Sequence, residues 1–288
     1  MYRNTFLSVM FLACCFNGSL CAQSDAQIYE RTCDAKTYPF SDPSPVATPN
    51  NSYYPYFRFD GFSMQAQEKQ WKMVVLENDY VKLTVTPEIG GKIWGAIDKV
   101  NNKEFVYTNG VVKFRDVAMR GPWTSGGIEF NFGIIGHAPT CSTPIDYLTK
   151  KNVDGSVSCH IFSYEWITRT VWNVEINLPK DKAYFTTHTT WFNQSSIDQP
   201  YYQWMNAGYA TKTGTRFYYP GTYSIGHSGD LHPYPIDEEG RDVSWYDNNN
   251  FGASKSLHII GDYNDYFGIY WHNEMVQLIT PIMMRNWG

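Results

Sequence analysis

No stretch of this 288-residue chain approaches the ~20 consecutive apolar residues that a membrane-spanning helix needs. The longest apolar run, Phe6–Phe16, is short, interrupted by Ser8 and confined to the N-terminus. Basic residues are scarce: 23 Lys and Arg stand against 28 Asp and Glu, a net charge of −5. No cationic stripe emerges, so nucleic-acid binding is excluded as the chain's business. Sustained apolar spacing at i, i+3, i+4, i+7 is missing as well, so helices are expected to be few and short. The G-x-S-x-G elbow, the phosphate-binding glycine–lysine loop and the dinucleotide fingerprint are all absent, which removes three common catalytic engines. Cysteines never fall at C-x-x-C spacing, so no structural zinc knuckle is expected.

What the chain has in surplus is aromatic side chains, 17% of all residues, with 10 Trp, 22 Tyr and 17 Phe. Most suit strands and cores, but the surplus leaves rings for a surface that stacks on sugar-like ligands. The start, "MYRNTFLSVMFLACCFNGSLCAQS", has one Arg, an apolar centre and small residues ending at Cys21-Ala22-Gln23. It reads as a secretory signal peptide (residues 1–22) cleaved after Ala22, which places the protein outside the cell or in a periplasm. Phe11-Leu12-Ala13-Cys14 is an imperfect lipobox, so a lipid anchor at Cys14 or Cys15 is the weaker reading. Removing Arg3 with the leader takes the basic count from 23 to 22 against 28 acidic residues, a balance of −6. Cys33, Cys141 and Cys159 then remain, and a Cys141–Cys159 bridge stays open in an oxidising compartment, though spacing alone does not establish it.

Residues 23–75 begin as a Pro-, Ser-, Asn- and Tyr-rich stretch and read as an arm laid over a domain surface. From residue 76 onward period-two alternation dominates. In Tyr80-Val81-Lys82-Leu83-Thr84-Val85-Thr86 the residues Val81, Leu83 and Val85 face one way. Further strands are predicted over Lys92–Asp98, Glu104–Tyr107, Val157–Tyr164, Trp166–Leu178, Ala183–Asn193, Tyr201–Ala210, Ser256–Ile260 and Phe267–Trp271. Asp154-Gly155 and Pro179–Lys182 supply hairpin turns. The predicted fold is all-β, a large antiparallel sandwich. The chain stops at "LITPIMMRNWG" just after laying down a strand, so residues 76–288 are expected to be an incomplete domain.

The stretch "LENDYVKLTVTPEIGGKIWGAIDKVNNKEFVY" resembles the opening of galactose-mutarotase-like, or aldose 1-epimerase-like, domains. The landmarks "RGPWTSGGIEFNFGIIGHAP", "TPIDY", "DGSVS", "YYQWMNAGY", "YYPGTYSIGH", "GRDVSWYDNNNFGASKS", "DYFGIYWH" and "NWG" follow in order. Together they are similar to a bacterial mutarotase-like family catalogued as domain of unknown function 5107, often followed by tetratricopeptide repeats. The resemblance runs from about Glu77 to Gly288 and implies a β-supersandwich with a concave face that holds a carbohydrate. Two departures disfavour plain aldose epimerisation. The strand that carries a catalytic histidine in true mutarotases corresponds here to "PYYQWMNAGY", which has none. Their catalytic glutamate comes from a later strand than this chain contains.

Candidate chemistry centres on Arg120–Pro139. In Glu129-Phe130-Asn131-Phe132 the two polar side chains share one face and the two phenylalanines the other. Ser125-Gly126-Gly127 permits backbone angles closed to other residues and lets a ligand approach the main chain. A carboxylate in a sugar groove accepts hydroxyl hydrogen bonds or, with a raised pKa, donates a proton; Glu129 could equally pair with Arg120 and pin the loop. His137 either lines the same groove or caps the turn before Pro139, and Trp123 either stacks on a sugar or acts as core or lid. Trp204 shares a face with Tyr202 and Asn206 on the next candidate strand, with core packing the competing role for the ring. "GRDVSWY" supplies Asp242 as the second carboxylate, or as a turn cap after Gly240, with Trp245 beside it. His227, Asp230, His232 and Asp237 have metal-like spacing, but polar loops produce such spacings freely; a groove-edge role for His227 is preferred and no metal or cofactor is expected. His258 and His272 read as structural.

The expectation is a secreted carbohydrate-active domain, glycoside hydrolase-like in the full-length protein, whose partner is an oligo- or polysaccharide. Glu129 and Asp242 would be the acid/base pair. Arg120, Asn131, His137 and His227 would be polar contacts, Trp123 and Trp245 the stacking rings, with Trp204 and Asn206 beside them. A non-catalytic carbohydrate-binding module and a secreted interaction domain are the alternatives. Convergence of Glu129 and Asp242 across one cleft separates the first reading from the second.

Overall fold

The computed structural model describes residues 24–40, 54, 61–116, 122–200, 202–226, 228–249, 258–261, 266–273 and 276–281. Residues 1–23, Arg120, His227 and residues 282–288 lie outside them. Strands follow one another as β1 (Gln27–Tyr38), β2 (Gln67–Glu77), β3 (Val81–Thr86), β4 (Lys92–Asp98), β5 (Lys103–Val106) and β6 (Val112–Lys113). The short β7 (Arg115–Asp116) and β8 (Pro122–Trp123) precede β9 (Ile128–Gly133), β10 (Asp146–Lys151), β11 (Val157–Glu165), β12 (Thr170–Leu178), β13 (Thr186–Asn193) and β14 (Tyr202–Ala207). The last third holds β15 (Thr215–Tyr218), β16 (Tyr223–Ile225), β17 (Leu231–Pro233), a four-residue helix α1 (Tyr246–Asn249), β18 (His258–Ile260), β19 (Tyr266–Trp271) and β20 (Val276–Pro281).

The fold is an all-β sandwich of mainly antiparallel sheets. An eight-stranded sheet runs in the order β14-β9-β4-β3-β2-β1-β6, with β5 paired to β4. A four-stranded sheet, β10-β11-β12-β13, covers one of its faces. Alternation explains the fit: Val74, Leu76, Val81, Leu83, Val85, Ile93, Ile128, Phe130 and Phe132 point from the large sheet onto Val157, Cys159, Ile161, Trp172, Val174, Ile176 and Leu178. Phe132 stacks on Trp172 at 4.7 Å and meets Trp191 edge-on at 5.4 Å, geometry that aromatic pairs favour.

The large sheet is buried on its other face too. Trp71, Met73, Ile89, Trp94, Val112 and Phe114 form a second apolar layer there. The consequence is visible in β9, where all six residues are buried, so the even positions fill the core while Glu129 and Asn131 are buried on the opposite side.

Several expectations change in detail. Residues 23–75, read as a surface arm, hold β1 and most of β2, which pair over eleven registered positions, Gln27↔Glu77 to Thr37↔Gln67. β1 is largely exposed and polar and carries no clear alternation, whereas β2 is buried on both faces from Met73 to Leu76 and reads as a short apolar run. The predicted strand from Trp166 starts at Thr170 instead, because Glu165 Oε2 accepts hydrogen bonds from Thr168 N and Oγ1 and Arg169 takes a φ of 56°. The Cys141–Cys159 bridge is not formed. Cys159 lies in the core between the sheets, whereas Cys141 sits in a 3-10 turn (Pro139–Cys141) beside Glu129, on the other side of the large sheet.

Candidate functional site

β9 and β14 pair antiparallel with Asn131 opposite Trp204 and Glu129 opposite Asn206. Directly opposed residues share a face, so Glu129, Asn131, Trp204 and Asn206 all project away from the sandwich core. The strand then turns, and His137 returns to the same face. Its Nδ1 lies 2.7 Å from Glu129 Oε1, and Asn131 Nδ2 donates to that same oxygen at 2.7 Å. Asn131 Oδ1 in turn accepts from the Ala138 N–H at 3.0 Å, which ties the returning loop to β9. With Glu129 ionised, the short bond places the ring proton on Nδ1.

Lys92, the first residue of β4, completes the cluster from the neighbouring strand. Its ammonium lies 3.9 Å from Glu129 Oε2, with both side chains 1% exposed. It donates to Thr124 at the carbonyl oxygen and, at 3.1 Å, to Oγ1. Thr124 therefore holds the lysine just outside hydrogen-bonding range of the carboxylate, and among the described residues Glu129 Oε2 has no hydrogen-bond donor. Burial pushes the Lys92 amine below its ordinary value, and the Glu129 charge opposes that shift. Burial, reinforced by the Glu129 charge, pushes the nearby Cys141 thiol well up. Ligand atoms of Glu129, His137 and Cys141 all lie within 4.8 Å of one another.

Rings flank this floor. Trp204 packs on His137 at 4.5 Å between centroids and Trp123 approaches it edge-on at 6.2 Å. Trp123, Trp204 and Asn206 are half-buried, so they are the accessible members of the group, whereas Glu129, Asn131 and His137 are buried. The two glycines before β9 serve the fold. At Gly127 (φ 66°) a Cβ would stand 2.3 Å from the Ile93 carbonyl oxygen, and at Gly126 (φ 76°) 3.0 Å from that of Tyr107. The close approach read from the sequence as room for a ligand is occupied by neighbouring backbone.

The remaining predicted residues that are described have other partners. Asp242 Oδ1 accepts from Ser244 N and Oγ at 3.1 and 2.5 Å, and its Oδ2 lies 3.7 Å from Arg216. Among the described residues its partners are thus Ser244 and Arg216, those of Glu129 are Lys92, Asn131 and His137, and no group is shared. Trp245 stacks under Arg216 at 5.0 Å and packs on His272 at 4.8 Å. His272 also touches Tyr270 and bonds Tyr218, a structural role. His232 pairs with Glu238 at 2.8 Å and Asp237 with Arg241 at 2.7 Å, which accounts for two members of the metal-like loop. Arg120 and His227 lie outside the described residues, and among those described the cation facing Glu129 is Lys92.

Sequence reasoning missed Lys92, Thr124 and Cys141. Lys92 carries one signal: it alternates with Ile93 and Trp94 in a strand buried on both faces, where a lysine demands a partner. Nothing local marks Thr124 or Cys141, which reach the cluster through tertiary contacts.

The architecture and the cluster define an all-β sandwich with a buried carboxylate–imidazole–ammonium group on the outer face of its larger sheet. The chain belongs to the family described as domain of unknown function DUF5107, whose model matches residues 48–280. Its fold is similar to that of a TPR-domain containing protein from Parabacteroides distasonis ATCC 8503, with a TM-score of 0.64 and 22% identity. That match covers 86% of this chain and 40% of the other, so this chain spans well under half of that protein. The Slr1438 protein from Synechocystis sp. PCC 6803 is similar at a TM-score of 0.51 and 13% identity, over 69% of this chain and 72% of the other. At these identities the likeness is one of fold. Among the described residues no helix is long and apolar enough to cross a membrane.

Proposed function

We propose that this chain is a secreted, galactose-mutarotase-like carbohydrate-active domain, glycoside hydrolase-like when part of its full-length protein, where tetratricopeptide repeats would accompany it. The observation that supports this reading most is the half-buried pair Trp123 and Trp204 set against His137, which itself contacts the Glu129–Asn131 pair. Apolar rings set beside a few converging polar groups suit the alternating apolar and hydroxyl faces of a sugar. Glu129 would act as proton donor or acceptor through the His137 contact, Asn131 would hold its carboxylate, and Asn206 would meet hydroxyls at the rim. Asp242 is the second carboxylate of the catalytic version. A separation of ~5–5.5 Å between the two carboxyl groups would imply retention and ~6.5–9.5 Å inversion.

One observation favours the non-catalytic version, a carbohydrate-binding module: among the described residues Glu129 and Asp242 have separate partners, and Glu129 is already engaged by His137, Asn131 and Lys92. The experiment is a glycan array followed by calorimetry, with a hydrolysis panel run on the saccharides that bind. Binding with turnover that disappears in Glu129→Gln supports the enzyme, and binding without turnover supports the module. Failure to bind any saccharide class overturns both.

A further inference from the structure

We propose that Glu129, His137 and Cys141 form a site for a single zinc-class divalent cation, buried on the outer face of the large sheet. This does not rest on the saccharide reading. The donor set itself points to the class: thiol, imidazole and carboxylate together suit a borderline transition-metal ion and are wrong for magnesium or calcium, which take oxygen ligands. The three residues come from separate places in the chain, β9, the returning loop and the 3-10 turn, yet one ligand atom of each lies within 4.8 Å of the others. In a tetrahedral zinc site ligand atoms stand roughly 3.5 Å apart, so a shift of about 1 Å closes the set.

A second observation is independent of that spacing. Among the described residues, Glu129 Oε2 is buried with no hydrogen-bond donor, an expensive state for a carboxylate oxygen. Lys92, the cation facing it among the described residues, is anchored to Thr124 and stays 3.9 Å away. The supporting shell is also in place. Asn131 fixes the carboxylate through Oε1, and Cys141 N donates to Ala138 O at 3.0 Å, which holds the turn against the loop that carries His137. Carboxylate ligands steadied by such outer contacts are what metal sites use.

On binding, the His137 ring moves its proton to Nε2 and offers Nδ1, while the Cys141 proton leaves to solvent, so one proton is released per cation. Three protein ligands leave a fourth position open, the arrangement of catalytic rather than structural zinc.

The test is titration of the full chain with Co²⁺, read by absorbance. Expected are one cobalt per chain, a thiolate-to-cobalt charge-transfer band in the near ultraviolet, and displacement by Zn²⁺. Cys141→Ser should abolish the band and His137→Ala should weaken binding by at least ~10–100-fold, the effect that even an outer-shell contact commands. Because Cys141 is buried and its replacement could unfold the turn, a second protein retains Cys141 and carries serine at every other cysteine. The band should persist there. Loss of the band in that protein, its survival in Cys141→Ser, or no stoichiometric cobalt uptake by the wild type would each overturn the proposal.

Discussion

Lys92 and Glu129 face one another at 3.9 Å across adjacent strands, both essentially removed from water. Neither strand supplies the reason for the other's charge; the pair exists because β4 and β9 each need a residue on a face that a second apolar layer has sealed. Breaking a buried pair by removing one charge is costly, on the order of 3–5 kcal/mol, whereas replacing both partners by apolar or neutral groups is often tolerated. Glu129→Gln is therefore expected to lower stability by ~3 kcal/mol, and Lys92→Met in the same molecule to recover a large part of it. Urea denaturation of the two single variants and the double variant measures the coupling. Strict additivity would show that the two charges do not support each other.

The thiols give a second prediction. None of Cys33, Cys141 and Cys159 is in a disulfide, so a reductant should leave the melting temperature unchanged. Burial pushes the Cys159 thiol up to about 12 and Cys141 well above its ordinary value, and the thiolate is the reactive form. A thiol reagent should label half-buried Cys33 first, with Cys141 and Cys159 reacting only on unfolding. Peptide mapping of labelled native protein decides it, and early labelling of Cys141 would contradict the burial described here.

Much of the fold is legible in the sequence because the sandwich face obeys a simple rule: Val81, Leu83 and Val85, or Phe130 and Phe132, alternate with polar neighbours and declare which side is core. The same rule placed Glu129 and Asn131 together. It failed for β1, whose outward residues are polar on both sides for much of its length, and for the Trp166–Arg169 turn, where aromatic and β-branched residues imitate a strand. The cluster around Glu129 was half legible. Asn131 and His137 lie within eight residues of it, but Lys92, Thr124 and Cys141 arrive through sheet pairing and a loop return that periodicity does not encode.

Tyr54 predicts an alkaline limit. Its hydroxyl donates to Ile135 O at 2.7 Å and accepts from Ile135 N at 3.3 Å, and burial pushes its pKa from 10.0 to about 12. The native state thus holds this proton more tightly than the unfolded chain. The contribution is complete below pH 10 and is lost as pH rises from there to about 12. Tyr209 and Tyr234, also raised by burial, act in the same direction. Denaturation midpoints should fall between pH 9.5 and 11.5, values chosen to bracket the start of that window, and fall less steeply in Tyr54→Phe. Equal slopes for wild type and variant would remove Tyr54 from the account.

Gly90 ties the site to the turn before β4. It adopts φ 64°, and a Cβ there would stand 2.3 Å from both the carbonyl carbon and oxygen of Cys141. Gly90→Ala is expected to cost at least ~1–2 kcal/mol from the backbone angle alone, plus whatever is needed to push the Pro139–Cys141 turn aside. Because that obstacle is backbone, the turn must move, and Cys141 moves with it. Calorimetry should show the stability loss, and cobalt affinity should fall with it. A variant as stable as wild type would mean that this contact is loose in solution.

Trp204 is the residue on which the saccharide reading is most exposed to failure. It sits opposite Asn131 in the β9–β14 ladder and covers His137 at 4.5 Å, so its ring is both a stacking surface and the roof of the Glu129 cluster. Truncating it removes a large apolar contact, worth ~1–3 kcal/mol, so Trp204→Ala should weaken binding of whichever saccharide the array identifies by roughly 5- to 150-fold. Trp123→Ala should act in the same direction, since its ring meets the same histidine edge-on. Trp166, 70% exposed on the turn between β11 and β12, is the control: it offers a ring to solvent with no part of the cluster beneath it. Calorimetry with the three variants separates a built site from general stickiness. If Trp166→Ala loses as much affinity as Trp204→Ala, or if Trp204→Ala loses none, the outer face of the large sheet is not where the sugar binds.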